Sequence, residues 1–474
     1  MSRIETPVLV IGAGPAGLAA ARTLSRFGVA CLVVDDNARA GGQYFRQLPA
    51  SFKVRPDARL ARDQQRAEDY LSALSDPLVK YRPGCTVWSM PEPGVFAFAE
   101  ESSGGRILAE HAIVAAGASD APRPFPGWTL PGVIAAGGCL NLIKGQAMVP
   151  GRRVVVAGNG PLTLVVAYSL RMAGSEVLAV IEAGRPSRHA WAALPGLLRI
   201  PKVIGLAAKY RLALLRAGTP FIEGSVVTRA HGSDRLQGVE VSPLDARGQP
   251  QQKSQPFDDV DALVIGYGLA PSSEFFRVIG CEMRDDEVLG GLVPVRSGDL
   301  ETSAGGVYAV GDGAGIGGVE IALLEGSGAA AAIAARRGVD GAAPERDRLF
   351  AKLRRAEPFR ASLHRTYRLQ APLDLATTET IVCRCEEVTQ QQLVTTARSF
   401  NGDIELVKFA TRFSMGRCQG RNCARTCRAI VASATGAVVP PSAPRMRPPA
   451  RLIPISALLD EPLLPPREPD QVSL

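Results

Sequence analysis

A strand, a glycine loop, a helix and a second strand follow one another in "VLVIGAGPAGLAAARTLSRFGVACLVVDD", residues 8–36, and the same order returns in "GRRVVVAGNGPLTLVVAYSLRMAGSEVLAVIEA", residues 151–183. Parallel strands need a crossover helix, so a chain carrying this unit twice is an α/β protein built on two parallel sheets. The glycine positions then say what each unit holds.

In the first loop Gly12 allows the tight turn, Gly14 lets the backbone approach a pyrophosphate, and Gly17 lets helix and strand pack closely. Pro15 and Ala16 open the helix, whose N-terminus meets phosphate charge. Asp35, with Asp36 after it, ends the next strand where a carboxylate accepts from a ribose and repels a 2′-phosphate. FAD or NAD is expected here rather than NADP. The second loop keeps Gly158 and Gly160 but has Thr163 at the third position, which should push helix from strand. Glu182 keeps the acidic position, so NAD or another adenine nucleotide and an empty domain are both open readings.

Between the loops, "PDARLARDQQRAEDYLSAL" reads as an amphipathic helix, and "GCTVWSM", "VFAFAEE" and "RILAEHAIVAAGA" read as strands. A Pro and Gly-rich crossing, "DAPRPFPGWTLPGV", leads to the second unit. The expected division is a discontinuous first domain over 1–117 and 287–340, a second nucleotide domain over 118–286 and a helical connector over 341–377. A cysteine-bearing α-rich domain follows over 378–436, with Thr389 and Asp403 as helix N-caps. The Pro-rich tail, 437–474, should be extended, either draped or disordered, or a docking arm.

With 46% hydrophobic and 21% charged residues the chain is that of a folded protein, and no apolar run reaches the roughly 20 residues of a membrane span. The N-terminus leaves no room for a secretory signal, so the expected location is cytoplasmic, with peripheral association at the inner face of a membrane as an extension. The net charge of +8 comes mostly from dispersed arginine without interleaved aromatics, which argues against nucleic acid. The four histidines form no metal or triad pattern. Cys31, Cys85, Cys139 and Cys281 stand alone, as small buried residues rather than a redox pair.

The other cysteines cluster in "IVCRCEEVT" and "GRCQGRNCARTC". Four thiolates bind zinc or an iron–sulfur cluster. The single residue between Cys383 and Cys385 is shorter than zinc knuckles use; Cys418 is the third candidate and Cys423 the favoured fourth, with Cys427, one helical turn on, either the alternative fourth ligand or a packed or spare thiol. Gly416 and Gly420 free backbone N–H groups toward sulfur, and Arg384, Lys408, Arg412, Arg417 and Arg421 can offset cluster charge.

"GGVYAVGDGAG" resembles the second flavin motif of two-dinucleotide-domain flavoproteins of glutathione-reductase type, which implies FAD, with Gly311 and Asp312 at the ribityl and pyrophosphate region and Gly117 beside the cofactor. "CRCEE" with "GRCQGRNC" resembles the [2Fe–2S] domain of bacterioferritin-associated ferredoxin. Together with "GGQYFR" and "PFPGWTLPGV", these segments resemble the FAD and [2Fe–2S]-containing α subunits of hetero-oligomeric amino acid and opine dehydrogenases. That group includes opine oxidase, D-hydroxyproline and dye-linked proline dehydrogenase α subunits and the flavoprotein subunit of hydrogen cyanide synthase. The resemblance implies that Gly41, Gly42 and Gln43 line the FAD site.

It further implies a glycine-oxidase-like flavoprotein β subunit performing C–N oxidation, in some complexes a small ferredoxin-like γ subunit, and in some an FMN between subunits. Electrons would pass through the cluster and FAD to a quinone or carrier protein, the flavin joining two-electron and one-electron steps. The absence of an evident catalytic residue in this chain agrees with chemistry on the partner. The competing readings are a self-contained NAD(H)-linked reductase feeding a carrier through its cluster, and a zinc-stabilised docking module.

Overall fold

The computed structural model describes residues 2–49, 51–52, 58–189, 196, 201–369, 374–436 and 446–459. The expected tail over 437–445 and 460–474 and the connector's 370–373 lie outside them. In the first unit β1 (Ser2–Ile11), β2 (Cys31–Asp35), β3 (Val79–Pro83), β4 (Thr86–Glu92), β5 (Val95–Ala99) and β6 (Gly104–Val114) form one sheet in the order β3-β2-β1-β6-β5-β4. β1 runs parallel to β2 and β6, and β5 is antiparallel to both its neighbours. Helix α1 (Pro15–Arg26) connects β1 to β2, and α2 (Ala58–Leu71) precedes β3. Because the parallel strands are covered on both faces they read as apolar runs: every residue of β2 is buried.

β7 (Ala118–Asp120) leads out of this unit. The second sheet is formed by β8 (Val133–Ala135), β9 (Arg153–Gly158), β10 (Glu176–Glu182), β11 (Phe221–Glu223) and β15 (Ala262–Gly266), parallel throughout in the order β11-β10-β9-β15-β8. Its helices are α3 (Ala136–Gln146), α4 (Pro161–Met172) and α5 (Pro201–Arg216). An antiparallel sheet of β12 (Ser225–His231), β13 (Gly238–Pro243) and β14 (Gln255–Asp258) precedes β15. β16 (Leu269–Pro271) then pairs antiparallel with β7, so the outgoing and returning crossings lie side by side.

The return to the first unit comes early. Phe275 and Phe276, in α6 (Glu274–Val278), and Cys281 pack with Phe96 and Phe98 of β5, although the sequence division at 286 groups them with the second unit. Large buried aromatics follow the core that can enclose them, which composition alone does not reveal. After the hairpin β17 (Met283–Asp286) and β18 (Gly291–Pro294), β19 (Val307–Ala309) joins β6 in parallel. Helix α7 (Val319–Arg336) lies on α1 so closely that a Cβ at Gly326 would stand 2.0 Å from the Ala16 carbonyl oxygen.

The connector forms α8 (Ala342–Ala356) and α9 (Pro358–Thr366). Its Arg360 reaches Glu325 of α7 at 3.0 Å, Arg296 reaches the same carboxylate at 3.2 Å, and Glu325 accepts from the Gly311 N–H at 2.7 Å. Glu325 is 1% exposed and Arg360 6%. Removing the carboxylate leaves two guanidinium charges without their counter-charge, with only the Gly315 and Ala309 carbonyls still accepting from them, so Glu325→Ala should destabilise the protein by about 3–5 kcal/mol in urea unfolding. A loss well under 1 kcal/mol would mean that water reaches the arginines.

The cysteine domain contains the hairpin β20 (Ile381–Cys383) and β21 (Val388–Thr389), then α10 (Gln390–Ser399), α11 (Ile404–Thr411) and α12 (Ala424–Thr435). Thr389 caps α10 in a reciprocal box with Gln392, and Asp403 caps α11 by accepting from Glu405 and Leu406, as the sequence predicts. The described part of the tail is draped rather than free. The Ala450 N–H donates to the Trp88 carbonyl at 2.9 Å, and α13 (Ser456–Leu459) places Ala457 against Trp88, Ala97 and Ala99.

Candidate functional site

The ends of β1, β2 and β6 open into a cavity of about 970 Å³. Gly12, Gly14, Pro15, Ala16, Asp35, Asp36, Gly42, Gln43, Gly117, Gly311 and Asp312 all border it. Gly17 and Gly41 stand behind this wall and shape it. A Cβ at Gly17 would come within 1.8 Å of the Gly12 carbonyl oxygen, so only glycine permits this helix-to-strand approach. The Gly41 N–H donates to the Ala13 carbonyl at 2.8 Å, tying the "GGQYF" turn to the first loop.

Carboxylates hold these loops still. Asp35 accepts from the Ala13 N–H at 2.6 Å and from the Asn37 N–H at 2.8 Å, and burial pushes its carboxyl above the usual range against those bonds. Asp312 accepts from Gly317 and Gly318 at 2.9 and 3.0 Å, again with burial raising its pKa. Fixed backbone N–H groups at a helix N-terminus suit a pyrophosphate, and the long cavity suits a dinucleotide. Sequence reasoning missed Lys144. This α3 residue is 6% exposed, borders the cavity and donates to the Tyr44 carbonyl at 3.0 Å, with nothing in its local pattern to mark it.

The second loop is arranged differently: Gly158, Gly160 and Glu182 are absent from the cavity wall. Glu182 is 0% exposed and accepts from the Gly160 N–H at 3.0 Å and the Thr163 hydroxyl at 3.1 Å. Thr163 also donates to the Gly160 carbonyl at 2.8 Å, so the odd residue is built into the turn. Asn159 donates to the Tyr367 carbonyl at 3.0 Å, just beyond α9, which brings the connector onto this loop. The carboxylate expected to face a ribose is engaged internally.

Burial pushes Glu182 up to about 8 from its ordinary 4.5. A raised carboxyl pKa favours the native state while the group is protonated and loses that contribution as pH rises toward the folded value. The unfolding free energy of the wild type, relative to Glu182→Gln, should therefore fall as pH is raised from about 4.5 to about 8. Parallel stability curves for the two proteins in urea titrations across that range would refute the assignment.

In the cysteine domain no three described His, Cys, Asp or Glu side chains are arranged to hold a single metal ion. The thiols are nevertheless brought together: Cys423 shares hydrogen bonds with Cys383, Cys418 and Cys427, and Cys385 with Cys418. Hydrogen bonding from Cys423 pulls Cys383 down to about 6 and Cys418 to about 5, and the same contacts push Cys423 up. Backbone N–H groups of Ser414 and Glu386 point at Cys383, and those of Asn422 and Gly420 at Cys418. Gly420 thus donates as the sequence suggests. Gly416 has another use, since a Cβ there would meet Cys385 Cβ at 2.4 Å. Thiols gathered in this way, with N–H groups aimed at Cys383 and Cys418, are a donor set whose chemistry suits either zinc or an iron–sulfur group.

The cysteine loops meet the cavity. Arg384, Arg421 and Asn422 border it, together with Ala450 and Arg451 of the tail. Arg421 donates to the Cys418 carbonyl at 3.2 Å and the Ala450 carbonyl at 2.8 Å, and lies 3.5 Å from Glu274.

Comparison with known proteins fits this geometry. Residues 6–338 match the family described as pyridine nucleotide-disulphide oxidoreductase. The chain belongs to this family of flavin-dependent oxidoreductases. It is 32% identical over 444 residues to the HcnB subunit of hydrogen cyanide synthase from Pseudomonas aeruginosa, spanning 90% of this chain and 93% of that one. It is also 32% identical over 458 residues to one of the subunits of opine oxidase from Agrobacterium tumefaciens, spanning 91% and 87%. The structure of L-proline dehydrogenase from P. horikoshii shares the fold at a TM-score of 0.69 and 20% identity, over 96% of this chain and 79% of that one. The FAD-binding expectation is consistent with the family.

Proposed function

We propose that the chain is the electron-transferring subunit of a hetero-oligomeric dehydrogenase that oxidises an amino acid, an imino acid such as proline or hydroxyproline, or an opine. FAD occupies the cavity between the Gly12 loop and Asp312, and a [2Fe–2S] cluster rests on Cys383, Cys385, Cys418 and Cys423. C–N oxidation takes place on a partner flavoprotein subunit. The observation that carries this reading is the shared wall: Arg384 and the Arg421–Asn422 pair, which lie between the cluster cysteines in sequence, border the same cavity as the flavin loops. A centre that accepts electron pairs and a centre that moves single electrons are then neighbours. The relatives are themselves subunits of larger enzymes, which supports a hetero-oligomer, and their opine and proline chemistry supports a C–N donor.

Within this chain the residues bind, orient and exclude water. Asp35 and Asp312 hold loops whose N–H groups receive the phosphates and ribityl chain. When bound there, FAD would supply the exchange between electron pairs and single electrons. Buried Lys144 supplies positive charge beside the "GGQYF" turn, and the N–H groups on Cys383 and Cys418 favour thiolate. The engaged state of Glu182 and the Tyr367 contact leave the second loop without the ribose acceptor that an NAD(H)-linked reductase would use.

Purified full-length chain should carry FAD with iron and acid-labile sulfide in equal amounts, and Cys385→Ser or Cys418→Ser should lose the iron while keeping the flavin. Anaerobic NADH should leave the flavin oxidised, whereas substrate should bleach it only when the partner subunit is present. Zinc in place of iron, or rapid bleaching by NADH alone, would overturn the reading.

A further inference from the structure

The described part of the tail reaches one particular end of the cavity. Ala450 is 1% exposed and packs with Cys85, Val87 and Phe96 in the core of the first unit, and its N–H donates to the Trp88 carbonyl. The stretch it lies against is tied in turn to the end of β2: the Cys85 N–H donates to the Asp35 carbonyl at 2.9 Å and the Gly84 N–H to the Asn37 carbonyl at 3.1 Å. Asp36, Asn37, Thr86, Val87, Ala450 and Arg451 therefore border the same end of the cavity. In a dinucleotide fold the carboxyl end of the second strand receives the adenosine half, while the glycine loop receives the pyrophosphate. The tail stands at the adenosine end.

Two arginines give this wall its character. Arg421, with a side chain 12% exposed, donates to the Ala450 carbonyl at 2.8 Å and to the Cys418 carbonyl at 3.2 Å, and Gln419 donates to the Pro449 carbonyl at 3.4 Å. The cysteine loop thus grips two successive carbonyls of the tail. Arg451, the next residue, is half-buried and borders the cavity, and its guanidinium has no hydrogen bond or ion pair among the described residues. A planar cation at the edge of a space for a purine can stack on the ring, which a neutral or acidic residue cannot do as well.

We propose that Pro449–Arg451 forms the outer wall of the adenosine end, that Arg451 meets the adenine of a bound nucleotide, and that Arg421 joins this wall to the cysteine loop. Nucleotide that holds the tail in place then also steadies the backbone around Cys418, and the reverse holds by linkage. That the nucleotide is FAD rests on the flavin reading above, whereas the adenosine wall does not.

The full chain, after removal of any bound flavin, is titrated with ADP and with FAD by calorimetry. Arg451→Ala should bind both on the order of tenfold more weakly than the wild type, yet unfold at the same urea concentration when no nucleotide is present. Hydrogen exchange of the backbone N–H groups over 416–423 should slow when ADP is added to the wild type and should not respond to ADP in Arg421→Met. Equal affinities of the wild type and Arg451→Ala for ADP, or no binding of ADP by the wild type, would overturn the proposal. Unfolding of Arg451→Ala at lower urea would overturn the adenine contact by making the arginine structural, and exchange that slows equally in Arg421→Met would overturn the link to the cysteine loop. A chain that binds ADP through Arg451 but does not bind FAD would uphold the adenosine wall and instead remove the flavin reading.

Discussion

The geometry of the cavity depends on carboxylates that accept from backbone N–H groups of tight loops. Asp35 holds Ala13, Asp312 holds Gly317 and Gly318, Glu325 holds Gly311, and Asp120 holds Gly137. Loops at the carboxyl ends of parallel strands leave such groups without partners, and a bound anion can be met only by groups that keep their aim. A side-chain acceptor behind the loop fixes that aim before any ligand arrives. The arginines on Glu325 extend the arrangement by one more layer, and Arg360 of the connector also donates to the Gly315 carbonyl at 3.1 Å, so the connector helices contribute to the geometry of this loop.

The second unit shows what becomes of the same constraint when one position changes. With threonine in place of glycine, a hydroxyl enters the turn, and the acid at the end of the next strand is drawn to it. The fold of the unit is unaffected, since five parallel strands and their helices still close around a full core. Asp35 and Glu182 both accept from a backbone N–H of their own glycine loop, and Glu182 accepts in addition from the hydroxyl that Thr163 brings.

Much of this was legible in the sequence, because glycine at fixed offsets, apolar runs of strand length and capping residues are local signals. The two strand–loop–helix units, the caps at Thr389 and Asp403 and the gathering of the late cysteines belong to this class. The fate of Glu182 was not legible, since its spacing is that of a ribose acceptor and only the turn around Thr163 shows it to be engaged. Lys144 was hidden for a related reason: a lysine in a helix is ordinarily a surface residue, and only the packing of α3 against Tyr44 removes it from water. The early return of Phe275 and Phe276 to the first core was equally a matter of distant partners.

The crossings between the two units consist of one pair of short strands, β7 and β16. A two-stranded ribbon resists stretching but twists easily, and by itself it would serve as a hinge. The cysteine domain fastens both sides of it. Trp128, in the core of the second unit, donates to the Ile381 carbonyl at 2.7 Å, and Arg425 donates to the Gly290 carbonyl on the first unit's side at 3.0 Å. The joint is thereby splinted. Whatever the cysteines hold, the domain around them is hydrogen-bonded to both sides of the ribbon, which limits how far the two bodies can swivel about it.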